Sequence, residues 1–249
     1  MEIKDLNIEL NIAKKAAIES GKLLLQDKNK LNKNLKIIQR DTKLLADVES
    51  EHLIKDIILT KSQYPILAEE SGKSVEDLGD TFWVIDPLDG TANYNRGIPI
   101  CCVSIGLVKN MKPVLGVIYD FNNDEIYTGD KFSNISLMNG EPIKVSNKKK
   151  KDDSILVTGL PHHADYSNES LNKMIKDMQT WKKVRMIGSA AIASCYIASG
   201  KAEMYKENGI YLWDIIAGAA IVESAGGTAE ILNLKNNFQV DVVFTNSKI

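Results

Sequence analysis

Cysteine, histidine and proline are scarce in this 249-residue chain, at three, three and six residues. Cys101, Cys102 and Cys195 sit in apolar stretches. Neighbouring cysteines do not readily bridge each other and an odd count leaves one over, so no disulfide scaffold is expected. The thiols read as small buried hydrophobes of a reducing compartment. No run of about eighteen uncharged apolar residues occurs, which excludes a membrane-spanning helix. Met1-Glu2-Ile3-Lys4-Asp5 carries acidic residues and no long apolar run, unlike a signal peptide. A soluble, cytoplasmic protein with no membrane partner is the expectation. There is no excess of positive charge either: the net charge is −2, which argues against nucleic acid as a partner. The run Lys148–Lys151 is followed at once by Asp152 and Asp153 and reads as a solvated loop between two strands. His162 and His163, after Pro161, read as surface loop.

What is abundant is apolar sequence in short periodic stretches, 44% of all residues, with 26% charged. That suffices for a substantial core. The spacing predicts helices over about 5–27 and 43–60, separated by a polar loop from Asp27 to Asn34. Past Tyr64-Pro65 the pattern changes to buried-strand runs at 66–68 and 81–85, a hairpin over 102–108 and 113–119, and short strands near 126–127 and 155–158. The rest alternates helices (about 168–180, 189–199 and 213–225) with strands (about 183–187, 202–206, 228–232 and 241–245). A layered α/β protein results, one domain with an N-terminal part to about 145 and a C-terminal part from about 146.

Acidic residues follow the predicted strands: Glu69 with Glu70, then Asp86, then Asp89. A buried sheet fixes the direction of the residues at its strand ends. Carboxylates crowded at the edge of a core are costly unless cations compensate them. Asp and Glu without thiolate, in a chain with few imidazoles, favour a hard cation such as Mg²⁺. In Asp86-Pro87-Leu88-Asp89-Gly90-Thr91, a turn at Pro87 and Gly90 would bring the two aspartates together and turn the Leu88 carbonyl outward. N–H groups at a helix start near Thr91 would suit a phosphate. The plainer reading of this segment alone is an ordinary Asp/Pro/Gly turn. Asp214 likewise reads, alone, as a residue serving the dipole of the helix it opens, and Asp41 as a helix cap.

Together these segments resemble a known family. Asp86-Pro87-Leu88-Asp89-Gly90-Thr91-Ala92-Asn93-Tyr94 is similar to the signature of the inositol monophosphatase family. Ala68-Glu69-Glu70-Ser71-Gly72 resembles its paired-glutamate loop, Leu212-Trp213-Asp214-Ile215-Ile216-Ala217-Gly218 its third metal motif, and Glu223-Ser224-Ala225-Gly226-Gly227 continues the match. The similarity runs from about Ala13 to Asn246. It implies an αβαβα sandwich of the inositol monophosphatase/fructose-bisphosphatase type and a phosphomonoesterase with two or three Mg²⁺ ions per chain, inhibited by Li⁺. By resemblance, one Mg²⁺ is held by Glu69, Asp86 and the Leu88 carbonyl, and a second by Asp86, Asp89 and Asp214. Thr91, paired with Asp47, and Glu69 would handle the attacking water. Gly90 and Thr91 N–H groups would cradle the phosphate. Lys36 and Asp41 would support an optional third metal, while Glu70 would either bind a further metal through water or simply form a salt bridge. Leu44 departs from the family, which usually has Thr there.

Substrate recognition is implied for Gly188, Ser189 and Ala190, and for Glu207, which matches a ring-hydroxyl acceptor but reads alone as a loop glutamate. Thr91-Ala92-Asn93-Tyr94 and Cys101 to Leu107 resemble the inositol branch, whereas nucleotide bisphosphatases more often show Lys-Glu-Phe after that Thr. The expected substrate is a small phosphorylated metabolite, inositol monophosphate first. A 3′(2′),5′-bisphosphate nucleotidase, fructose-1,6-bisphosphatase, histidinol phosphatase or regulatory partner-binding protein are the alternatives. A homodimer is expected by resemblance. Family members usually continue past Asn246–Ile249 into a terminal helix, so the surface it covers is expected to be exposed or used in the dimer.

Overall fold

A computed structural model describes residues 3–38, 41–161 and 164–249. Helix α1 (Ile3–Gln26), the single turn α2 (Lys28–Leu31), the hairpin β1 (Asn34–Ile38) and β2 (Asp41–Leu44), and helix α3 (Leu45–Lys61) open the chain. An eight-stranded sheet follows: β3 (Ile66–Ala68), β4 (Gly72–Lys73), β5 (Thr81–Asp89), then the short helix α4 (Thr91–Arg96), then β6 (Cys102–Lys109), β7 (Lys112–Asp120), β8 (Glu125–Asp130), β9 (Ile135–Met138) and β10 (Glu141–Ile143). Its order is β10-β9-β8-β7-β6-β5-β3-β4. Only the β3–β5 pair is parallel. The remainder gives a 3-10 turn at Lys151–Asp153, β11 (Ile155–Thr158), α5 (Asn168–Met178), β12 (Lys183–Met186), α6 (Ala190–Ala198), β13 (Met204–Tyr211), α7 (Leu212–Ser224), β14 (Thr228–Leu232) and β15 (Gln239–Thr245). These strands form a second sheet, ordered β12-β11-β13-β15-β14.

The two-residue period of β5 sorts its side chains between two cores. Trp83 and Ile85 join Ala13, Ala17, Leu24, Ile54 and Ile58 of α1 and α3 on one face. Phe82 and Val84 face α6 and α7, beyond which lie Tyr205, Val242 and Phe244 of the second sheet. Helices α6 and α7 are apolar nearly all round because sheets cover both their sides. Helix α5, with no buried residue, meets the outer side through ion pairs of Asp177 with Lys151 and Lys206. The layers are therefore αβαβα.

Three glycines decide how closely α7 lies on the large sheet. Gly106 pairs with Gly116 and Gly116 with Gly129 across β6, β7 and β8. A Cβ at Gly116 would stand 2.1 Å from the Ala217 carbonyl oxygen, and one at Gly106 or Gly129 would meet Ile216 or Ile221 of α7. The helix backbone thus rests on a row without side chains.

The three cysteines are free and buried, as their apolar settings require. Several elements differ from the sequence reading. Residues 28–31 are a helical turn, because buried Leu31 docks it. The hairpin β1–β2 lies where the alternation is too weak to declare strands, so helix α3 starts at Leu45 and Asp41 opens a strand instead of capping a helix. Strands β9 and β10 were not anticipated, being short and half-exposed. Strand β13 runs to Tyr211 because its polar segment Lys206–Gly209 pairs with β15. His162 and His163 lie outside the described residues, and no helix among those described is long and apolar enough to cross a membrane.

Candidate active site

Strand β5 does not stop at Ile85 but continues through Asp86-Pro87-Leu88-Asp89. Asp86 stands opposite Ser104 and Asp89 opposite Cys102, so three steps on β5 match two on β6. This bulge accommodates Pro87 and cancels the alternation that would send residues three apart to opposite faces. Asp86 feels the charge of Asp89 as a result. The Asp86 carboxylate accepts the Leu88 N–H at 3.0 Å, and the Leu88 carbonyl accepts from the Thr91 hydroxyl at 3.0 Å. Gly90, at φ +89°, starts α4, and a Cβ there would be 2.8 Å from the Ile100 carbonyl oxygen. Only glycine satisfies both conditions.

The parallel partner β3 delivers Glu69 beside this segment. Ala68 pairs with Ile85, and the Glu69 N–H donates to the Ile85 carbonyl at 3.1 Å. Glu69 and Asp86 come within hydrogen-bonding reach of each other. Asp47 and Asp214 arrive on helices, each at the third position of α3 or α7 and each accepting the N–H just before its helix: Leu44 at 2.6 Å and Tyr211 at 2.7 Å. The second oxygen of Asp47 accepts from the Thr91 hydroxyl at 2.9 Å. Asp89 is held at the start of α6 by the Ser189 hydroxyl and by the N–H groups of Ala190 (3.3 Å) and Ala191 (2.8 Å).

Four segments thus bring five carboxylates into one field. Burial, and then the charges of neighbouring carboxylates, push Glu69, Asp86 and Asp214 well above the ordinary carboxylate range. Burial also raises Asp89, against its hydrogen bonds, and takes Asp47 up to about 7. Glu69 Oε2 is buried without a hydrogen-bond partner. Among the described residues no three acidic, histidine or cysteine side chains are drawn in to metal-ligand distance around one point, so the grouping is one of shared field and not of finished coordination. Hard oxygen donors, mutual repulsion and an orphaned carboxylate oxygen fit a hard divalent cation.

Glu70 forms an ion pair with Lys43 of β2 and its N–H donates to Glu51 at 2.9 Å, while its charge is still felt by Glu69 and Asp47. Burial would lower the Lys43 ammonium, but the Glu70 partner raises it on balance. Lys36 and Asp41 fall in β1 and β2; their side chains lie outside the described residues. Glu207 is on a strand, not in a loop; its carboxylate accepts from the Tyr205 hydroxyl at 2.9 Å, and burial lifts it to about 7. A Cβ on Gly159 would run into it at 2.4 Å. Gly188, at φ +73°, abuts Asn93.

The sequence pattern of the inositol monophosphatase family matches residues 5–245. The chain belongs to this family. Its members are phosphoric monoester hydrolases and are generally metal-dependent. The Nus factor SuhB of Xylella fastidiosa is 36% identical over 223 residues, 88% of this chain and 80% of that one. A fructose-1,6-bisphosphatase/inositol-1-monophosphatase of Aquifex aeolicus is 34% identical over 90% of this chain and 86% of its own. The solved inositol monophosphatase from Anabaena superposes with a TM-score of 0.84 at 34% identity, covering 97% of this chain and 92% of that one.

In this inositol monophosphatase relative, three supports of the site escaped the sequence reading. Ser50 of α3 donates to the Pro87 carbonyl at 2.7 Å and so ties that helix to the bulge. Asn93 donates to the carbonyls of Ile100 and Ile187, both at 2.8 Å, tying α4 to the segment before α6. Lys43 bridges the hairpin to Glu70. Asn93 lies within the Asp86–Tyr94 motif, but nothing local in the sequence signals the partners of Ser50 or Lys43.

Proposed function

We propose that the chain is a Mg²⁺-dependent phosphatase that hydrolyses the phosphomonoester of a small polyol or sugar, inositol monophosphate first, to the free alcohol and phosphate. The observation that carries this reading is the group of five carboxylates from four segments around an unpartnered Glu69 oxygen. Glu69, Asp86 and the Leu88 carbonyl would hold one cation, and Asp86, Asp89 and Asp214 another. When bound, the ions supply Lewis acidity toward water and the phosphoryl oxygens.

The chain's own groups do the remaining work. The single Thr91 hydroxyl proton is shared between Asp47 and the Leu88 carbonyl, which leaves the hydroxyl oxygen to accept a hydrogen bond from an incoming water. Asp47, held near neutrality, is suited to take a proton passed through Thr91, with Glu69 nearby. The N–H groups of Gly90 and Thr91, opening α4, are the donors for phosphate. Glu207 would accept hydrogen bonds from substrate hydroxyls. Gly188, Ser189 and Ala190 would border the ring, although Ser189 and Ala190 already hold Asp89. A third ion near Glu70 would have to displace Lys43.

A phosphate-release panel over inositol 1-phosphate, fructose 1,6-bisphosphate, histidinol phosphate and adenosine 3′,5′-bisphosphate tests the reading. Turnover should require Mg²⁺, fall with Li⁺ and be fastest on the inositol ester. Unchanged turnover in excess chelator would falsify it. The resemblance to a protein named Nus factor SuhB supports a second reading, a regulatory partner-binding protein. Asp89→Asn separates the two: cellular function that survives loss of hydrolysis favours the second. A cytoplasmic homodimer completes the proposal, and light scattering checks the dimer.

A further inference from the structure

The tip of the β6–β7 hairpin carries features that the hydrolytic reading does not use. Asn110 and Met111 make the turn at φ +50° and +59°. A left-handed methionine is unusual, since a long side chain gains nothing locally from that backbone. Met111 is nevertheless 47% exposed, as is Phe132 in the turn after β8. Between the two turns opens a cleft of about 420 Å³, lined by Lys109, Asn110, Lys112, Val114, Lys131 and Phe132. None of these residues belongs to the carboxylate cluster.

The lining of this cleft carries three lysines and no acidic residue. Among the described residues Lys109, Lys112 and Lys131 have no ion-pair partner. The nearby Asp130 carboxylate is occupied, accepting from the N–H groups of Phe132 and Ser133 and from the Ser133 hydroxyl. Glu223, in the last turn of α7, is exposed and feels Lys131 and Lys112, so it offsets part of their charge. Three lysines without a salt-bridge partner, one aromatic residue and Val114 therefore share the lining of one cleft. Lysines bind phosphate as point charges, and an exposed aromatic ring stacks on a base. The volume falls within the usual range for small-molecule sites. One ring and three cations match a single nucleotide; a longer strand would need a row of them, and the chain as a whole is negative.

We infer that this cleft is a second ligand site, which binds a nucleoside polyphosphate with its phosphates on Lys109, Lys112 and Lys131 and its base on Phe132. Such binding needs no divalent ion, whereas the carboxylate cluster repels anions when metal is absent. That difference makes the site separable.

Isothermal titration of the full chain with ATP in excess chelator at low salt tests it, with inorganic tripolyphosphate and adenosine as comparison probes. Saturable binding of ATP with a Kd of about 1 mM or tighter is expected, weaker binding of tripolyphosphate, and none of adenosine. Lys112→Glu with Lys131→Glu should weaken ATP at least tenfold, while Phe132→Ala should weaken ATP and leave tripolyphosphate unchanged. Lys148→Glu with Lys149→Glu, the same charge change elsewhere, should leave both alone. Thermal melting checks that each variant is folded. Absence of saturable ATP binding to the unaltered chain overturns the inference. So does equal weakening by the two lysine pairs, or loss of binding in Asp214→Asn.

Discussion

Helices α3 and α7 place an aspartate by the same local device and differ in everything around it. In each, the third residue accepts the N–H that precedes the helix, which fixes one carboxylate oxygen and leaves the other for the site. Helix α3 lies on the outer face of the large sheet, and the second oxygen of Asp47 is already committed to Thr91. Helix α7 is pressed between two sheets, and no second partner holds Asp214 among the described residues. An N-terminal carboxylate is thus a common part, and packing decides whether it serves a hydroxyl or stands ready for a cation.

The comparison breaks most readily at the aspartates. Asp214→Asn keeps an oxygen for the Tyr211 N–H, so fold should be retained in circular dichroism while turnover falls about 10³-fold. The rise in melting temperature produced by Mg²⁺ should vanish with it. Asp47→Asn should cost less, about 10²-fold, and keep that rise. The reverse order would sink the division of labour drawn above.

Packing gives the next largest effect. Gly116→Ala sets a Cβ against helix backbone that cannot yield, at a cost of about 2 kcal/mol or more and a fall of roughly 4–8 °C in melting temperature. Gly21→Ala on the α1 side meets side-chain atoms, the Tyr119 ring and Phe121 Cβ, and not helix backbone, and should cost roughly half as much. Equal losses would remove the special status of the α7 side.

Proton linkage sharpens the contrast further. Burial lifts Asp47 and Glu207 to about 7, and Glu69, Asp86 and Asp214 shift the same way. A folded state with raised carboxyl pKa values binds more protons than the unfolded chain. Its stability therefore falls as pH climbs from about 4 through 7. Metal-free protein should melt higher at pH 6 than at pH 8, and saturating Mg²⁺ should flatten or invert that slope; parallel slopes with and without metal would count against a cation among these groups. The smallest effect belongs to Lys43→Met, which breaks a part-exposed ion pair and should change stability by less than about 1 kcal/mol.

Much of this arrangement was legible from residue order. The apolar period located α1, α3, α6 and α7 within a few residues, because each helix buries a contiguous surface. Acidic residues after β3 and within β5 marked the site, since a core tolerates such groups only for a reason. The bulge at Pro87 was not legible as such, because a turn and a bulged strand share the same Pro and Gly signals. Strand β13 was cut short, because Glu207 and its neighbours look like loop to any rule that expects strands to be apolar. Ser50, Asn93 and Lys43 act across long sequence separations, and no local pattern reports a partner 37 or 94 residues away.

The glycine row under α7 has a consequence for how the chain tolerates change. Most packed interfaces meet through side chains, and each replacement shifts the distance between elements a little. Here main chain meets main chain, so the height of the helix above the strands is set by atoms common to all residues. A methyl added at Gly116 would press on the Ala217 carbonyl, one turn from Asp214, and so push on the end of the helix that carries this aspartate.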